Sequence, residues 1–217
     1  MKLILFSKRF ATETPTALAK RLLDWGLEGV DLAVRDGHPV TPGNVGDQLP
    51  VVARALREAG LDVPMVTAGV DLIDAESSEA TTLLDAMARA GVRLVKLGYW
   101  RFDARTMDYA RALDAVRRAL DRWEAAARAR DLRVLYHVHS GDFMAPNASA
   151  LARVLEGHDP AHVGAYLDAG HLALEGESFP MAVSIVRPWL AAVALKDVMI
   201  DRIAHRSEEH TSELQSP

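Results

Sequence analysis

Seven short apolar runs punctuate the chain at intervals of roughly 31 residues, the length of one βα unit. They are Leu3–Ser7, Gly29–Val34, Val63–Ala68, Leu94–Gly98, Arg133–His139, Val163–Asp168 and Ala191–Lys196. Between them lie amphipathic stretches at Thr16–Trp25, Val45–Ala59, Ser77–Ala90, Thr106–Ala129, Ala148–Glu156 and Phe179–Val186. Leu113, Val116, Leu120 and Trp123 show the 3.6-residue spacing that gives a helix one apolar face. Gly26, Gly60 and Gly91 stand just past helices, where a left-handed capping residue belongs. Strand and helix in strict alternation predict a parallel sheet covered by helices. Seven units at this spacing favour a (β/α)8 TIM barrel over an open doubly wound sheet. Against the open sheet, Ser7-Lys8-Arg9-Phe10 stands where a glycine-rich phosphate turn would follow the first strand.

Composition narrows the function. A formal net charge of -5 without basic clusters argues against a nucleic-acid partner. No apolar run approaches the ~20 residues that span a bilayer, so no membrane association is expected. Cysteine is absent, which excludes disulfides and thiolate metal sites and points to the cytoplasm.

The repeat stops after Asp201. Residues Arg206–Pro217 have no apolar periodicity and resemble the translated read-through of a sequencing adaptor. The expected organisation is a barrel domain over 1–205, lacking its eighth βα unit, and a non-native polar tail over 206–217. Strands one and seven would then present unpaired edges, and the chain as it stands would have little activity.

In a barrel, chemistry gathers where strands end at their C-terminal side. Strand five ends Tyr136-His137-Val138-His139, and alternation puts both imidazoles on one face, about 7 Å apart by strand rise. Strand six ends Asp168-Ala169-Gly170-His171, a carboxylate and an imidazole suited to a divalent ion or a sugar hydroxyl. The alternative is that Asp168 caps a helix and His171 faces solvent; Gly170 would let the backbone turn sharply. Strand seven ends Leu195-Lys196-Asp197, either an ion pair at the rim or an ammonium placed over an anionic oxygen. Asp31, inside strand two, could face the lumen. The loops carrying His38 and Tyr99-Trp100-Arg101 hold groups that suit a sugar, an aromatic face for its C–H surface and a guanidinium for its oxygens. His158 and His162 lie at the opposite end and read as structural.

Tyr-His-x-His-x-Gly, Leu-Asp-x-Gly-His and Leu-Lys-Asp, in that order on strands five, six and seven, resemble the sugar phosphate isomerase/epimerase family, whose fold is the xylose-isomerase-like TIM barrel. The resemblance runs from Met1 to about Val198. It implies a divalent ion (Mn, Mg or Zn) held by a strand-five Glu, a strand-six Asp, a strand-seven His and a strand-eight Glu. Asp168 matches the Asp, and His137 stands at the Glu position. Ala192-Val-Ala194 stands where the family carries His-x-His, so that ligand is missing. The implied function is isomerisation or epimerisation of a small sugar or keto-sugar through an enediolate. The metal ligands would be Asp168, His171 and His137, with His137 or His139 as the base and Lys196 as oxyanion stabiliser. His38, Trp100, Arg101 and His171 would contact substrate. The alternative is a sugar-binding or regulatory barrel that has lost the metal site. A small sugar is the expected partner, and a homodimer is left open.

Overall fold

The computed structural model describes residues 2–68, 74–196 and 198. Asp197 and the tail over 206–217 lie outside the described residues. Among the described residues seven parallel strands follow one another in sequence order. They are β1 (Ile4–Phe6), β2 (Gly29–Val34), β3 (Asp62–Ala68), β4 (Leu94–Lys96), β5 (Arg133–His137), β6 (Val163–Asp168) and β7 (Leu190–Ala194). The helices are α1 (Pro15–Asp24), α2 (Val45–Glu58), α3 (Ser78–Ala90), α4 (Tyr109–Arg128), α5 (Ala148–Leu155), α6 (Ala169–Leu174) and α7 (Phe179–Val186). Among the described residues β1 pairs with β2 alone and β7 with β6 alone.

Helix starts are written locally. Thr14, Ser77, Asp108 and Asn147 each accept a backbone N–H three residues on, satisfying a donor that the helix leaves unpaired. Gly26, Gly60 and Gly91 all have positive φ, as their positions past the helices predict. Pro50 sits inside α2 and has no N–H for the carbonyl of Gly46, four residues earlier. Arg89 of α3 fills that vacancy, its Nη2 donating to Gly46 O at 2.7 Å. A flaw in one helix thus becomes a tie to the next.

Alternation along the strands divides the interior in two. Val134, Tyr136 and Val138 point outward into the large core between sheet and helices. Met65, Leu135 and Tyr166 point inward and form a separate cluster with Ile4, Leu94, Ala192 and Ala194. Two residues further along their strands come Thr67, Lys96, His137 and Asp168, all buried. The lumen therefore passes from apolar to polar in the strand direction, and this places the site at the C-terminal mouth.

The main departure from the sequence reading follows β6. The expected glycine turn is a short helix, α6, capped by Asp168. Gly170 is needed there for closeness: a Cβ would lie 2.9 Å from Val198 Cγ2 and 3.0 Å from Lys196 Cβ. A smaller difference is that Ser7–Arg9 form a 3-10 turn after β1, with Ser7 Oγ accepting from Ala33 N.

Gly29 is the tightest point of backbone packing between β1 and β3. A Cβ there would meet Asp62 O at 2.9 Å and Ile4 Cγ2 at 3.0 Å. Gly29→Ala should therefore destabilise the chain by about 1–3 kcal/mol. Urea denaturation measures it, and an unchanged midpoint would show that these strands do not approach so closely.

Candidate functional site

Asp168, at the end of β6, organises the mouth. Its Oδ1 accepts from the backbone N–H groups of Gly170 (3.1 Å) and His171 (3.3 Å), capping α6. Its Oδ2 faces the lumen, 2.5 Å from Lys196 Nζ and 3.3 Å from His137 Nε2. The helix-cap reading of Asp168 is realised by Oδ1, while Oδ2 is left facing the lumen, where the site-carboxylate reading needs an oxygen.

The contacts around each imidazole define a consistent set of tautomers. His137 donates from Nε2 to Asp168, so its Nδ1 accepts from the Tyr99 hydroxyl at 3.0 Å. His171 lies with Nε2 3.4 Å from the Lys196 ammonium, which can only donate, so its Nδ1 donates to Ser140 Oγ at 2.8 Å. His139 donates from Nδ1 to the carbonyl of Ser140 at 2.9 Å. Among the described residues its Nε2 has no hydrogen-bond donor. The rings form one cluster, with centroids 3.9 Å apart for His139 and His171 and 5.4 Å for His137 and His171.

Burial keeps these imidazoles neutral. It pushes His137 down to about 3, more than the opposing hydrogen bond from Asp168 restores. His171 falls to about 4, through burial and then the neighbouring His139. His139 is also lowered, again by burial. Burial alone would raise Asp168, but hydrogen bonds from His137 and Lys196 outweigh it and hold the carboxyl far below its usual range.

His137 Nε2, His171 Nε2 and Asp168 Oδ2 supply a donor set that suits a divalent first-row ion. One ligand atom from each of the three residues lies within 4.8 Å of the others. Tyr99 also fits that role, because its hydroxyl can accept from Nδ1 and so free His137 Nε2 for an ion. β7 brings no ligand, since Ala192 and Ala194 occupy its lumen-facing positions. Lys196 extends over the cluster from beyond β7 instead.

The substrate-contact residues read from the loops are placed less centrally. Trp100 is stacked on Tyr136, ring centroids 5.2 Å apart and 8° from parallel, on the side facing the helix core. It plugs the barrel wall and does not cover the His–Asp cluster. Arg101 is exposed, its guanidinium 5.3 Å from the Phe143 ring, and Phe143 in turn packs 4.5 Å from His139. His38 sits half-buried in the loop after β2, outside the imidazole cluster, beside Arg35. Tyr99, named in the sequence only as part of its loop, and Ser140, not singled out there, are the residues that hold His137 and His171. Deeper in the lumen, Asp31 accepts from Thr67 Oγ1 at 2.7 Å, and burial lifts its carboxyl to about 6. At the far end, His158 bonds Glu124 and His162 bonds the carbonyl of Leu132, the structural roles expected of them.

These shifts fix an acid response. His137 and His171 have folded values below the ordinary 6.5, so the unfolded chain binds their protons first as pH falls. Their contribution is complete above about pH 6.5 and is lost progressively toward pH 4 and 3. Asp168, also lowered, adds to the loss only near and below the ordinary carboxylate range. The urea midpoint should fall steadily between pH 6.5 and 4.5, and His137→Gln should flatten that fall. A parallel decline in both proteins would show that His137 is not held neutral.

The sequence matches the family described as xylose isomerase-like TIM barrel over residues 19–213. No curated protein matches the chain. Among solved structures it is similar to 3-keto-D-glucoside 4-epimerase from E. coli, with TM-score 0.72 and 19% identity over 89% of this chain and 78% of that one. It is also similar to a D-allulose 3-epimerase from Methylomonas sp., with TM-score 0.68 and 13% identity over 89% and 71%. A D-psicose 3-epimerase from Clostridium cellulolyticum H10 gives 0.63 and 17% over 89% and 72%. Sequential parallel strands and a family match across most of the chain agree: this chain belongs to the xylose isomerase-like TIM barrel family, and seven successive strands of such a barrel lie among its described residues.

Proposed function

We propose that this chain is a keto-sugar isomerase or epimerase that removes a proton from the carbon beside a carbonyl. The carrying observation is that one small cluster holds His139, whose Nε2 has no hydrogen-bond partner among the described residues, and the Lys196 ammonium, which lies against the neighbouring His171. His139 is neutral, so its lone pair can take the proton. Lys196 can donate to the carbonyl oxygen as negative charge grows there, in a mouth where burial strengthens that attraction. His171, held by Ser140, offers a second ring nitrogen toward the same space. Tyr99 and Phe143 flank His139, ring centroids 4.2 and 4.5 Å away, and their aromatic carbons suit the C–H surface of a sugar. Arg101, beside Phe143, could reach a peripheral oxygen.

Asp168, His171 and His137 would hold a divalent ion, which when bound supplies positive charge for two adjacent substrate oxygens. The proton taken by His139 returns to a carbon, and which carbon and face receive it separates isomerisation from epimerisation. The name of the similar E. coli enzyme, a 3-keto-sugar 4-epimerase, puts the inverted carbon beside a ketone, and supports this substrate class.

Deuterium exchange tests the reading. A ketohexose or a 3-keto-glucoside incubated with the protein in D2O should lose the proton signal next to its carbonyl by NMR. His139→Gln should slow the exchange by about 100-fold or more, the usual contribution of a general base. Absence of exchange with every keto-sugar tried would sink the proposal. A second reading, a sugar-binding barrel without chemistry, is favoured by one observation: β7 brings alanines and no ligand to the mouth. Sugar binding by calorimetry without exchange would select it.

A further inference from the structure

We infer that the resident cation of the His–Asp cluster is the ammonium of Lys196, and that a divalent ion can enter only by displacing it. The inference rests on the reading that this cluster is the functional site, and concerns what fills it.

A carboxylate offers about four lone-pair positions. At Asp168 all four are taken: two by the backbone N–H groups of α6, one by His137 Nε2 and one by Lys196 Nζ. The same ammonium lies 3.4 Å from His171 Nε2. Lys196 thus contacts two of the three ligand atoms that an ion would use, in the contacts an ion would make. Asp168 is 1% exposed, so its charge needs a partner from within the mouth; Lys196 is 50% exposed at its side chain and can leave toward solvent. The partners differ in mobility, and the lysine is the one that can be exchanged.

The surrounding sequence seats this lysine. Its stem crosses Gly170, where any Cβ would lie 3.0 Å from Lys196 Cβ. On the strand before it, Ala192 and Ala194 present only methyl groups to the lumen and offer no competing ligand. The chain therefore gives up a ligand on β7 and supplies a tethered positive charge two residues after it.

The consequence is competitive. Removing the ammonium should expose Asp168 Oδ2 and His171 Nε2 and tighten divalent-ion binding, although the protein loses a polar side chain. The test titrates Mn2+ into the 217-residue chain and into Lys196→Met, following free Mn2+ by electron paramagnetic resonance. Lys196→Met should bind about tenfold tighter or better, the order expected when a charge-assisted competitor is removed. Asp168→Asn added to Lys196→Met should abolish the gain. Equal or weaker binding in Lys196→Met, no binding by either protein, or a gain that survives Asp168→Asn would each overturn the inference. Lys196→Gln repeats the comparison with a neutral polar stem, and urea midpoints of the variants verify that they are folded. Because the readout is ion binding, a failure to exchange substrate protons leaves this result intact, and the reverse also holds.

Discussion

The carboxylate of Asp168 is the constraint around which the mouth is arranged. It is buried and charged, a combination that is costly unless donors surround it. Two of those donors come from the first turn of α6, so the helix begins where the carboxylate needs it. The other two, His137 and Lys196, come from β5 and from beyond β7. One side chain on β6 therefore fixes the orientation of its neighbours on both sides. His137 is locked between Asp168 and Tyr99, and that lock decides which of its nitrogens carries the proton.

Much of this was legible in the sequence because it follows from period and parity. β2, β6 and α7 have the predicted limits, and the other predicted strands and helices are recovered within a few residues at either end. Parity along β5 put His137 and His139 on one side, and their rings do meet in one cluster, although the strand ends at His137. What stayed hidden depends on contacts between distant segments. α6 has six residues, too few for a helical period to show, and its Gly170 reads as a turn until Lys196 and Val198 are seen to press on it. Tyr99 and Trp100 are adjacent in sequence, and the sequence reading chose the larger ring. Past the end of β4, alternation no longer decides which faces the mouth; Tyr99 bonds His137 while Trp100 stacks on Tyr136. The sequence left Lys196 between an ion pair with Asp197 and a place over an anionic oxygen; Asp197 lies outside the described residues, and the ammonium reaches Asp168, 28 positions away, a contact that no local pattern signals.

Beneath the mouth lies a second layer of charge. Asp31 and Lys96 are both buried, and each moves the other toward its charged form against the pull of burial. Lys96 lies over the rings of Phe6 and Tyr166, 5.2 and 5.0 Å from their centroids, which supply the face of negative potential that a buried ammonium favours. Asp31 satisfies one oxygen on Thr67, while Oδ1 has no hydrogen-bond partner among the described residues. This layer is enclosed, with Asp31 2% and Lys96 8% exposed, so its charges cannot rearrange as freely as those above.

The two layers together show why Lys196 is the variable element. Asp168 is opposed by Lys196 and Asp31 by Lys96, so each buried carboxyl has an ammonium near it while Lys196 stays in place. Three of those four groups are buried on strands, and only Lys196 stands on an exposed stem beyond a strand end. Were its ammonium to turn to an incoming oxygen, Asp168 would lose a donor and its negative charge would be left less compensated. Any second cation would then be drawn to Asp168 by the same charge that the lysine had balanced. On the proposed reading, substrate capture and ion entry would be coupled through Lys196, because its half-exposed ammonium stands beyond the end of β7, where that strand brings only alanines to the lumen.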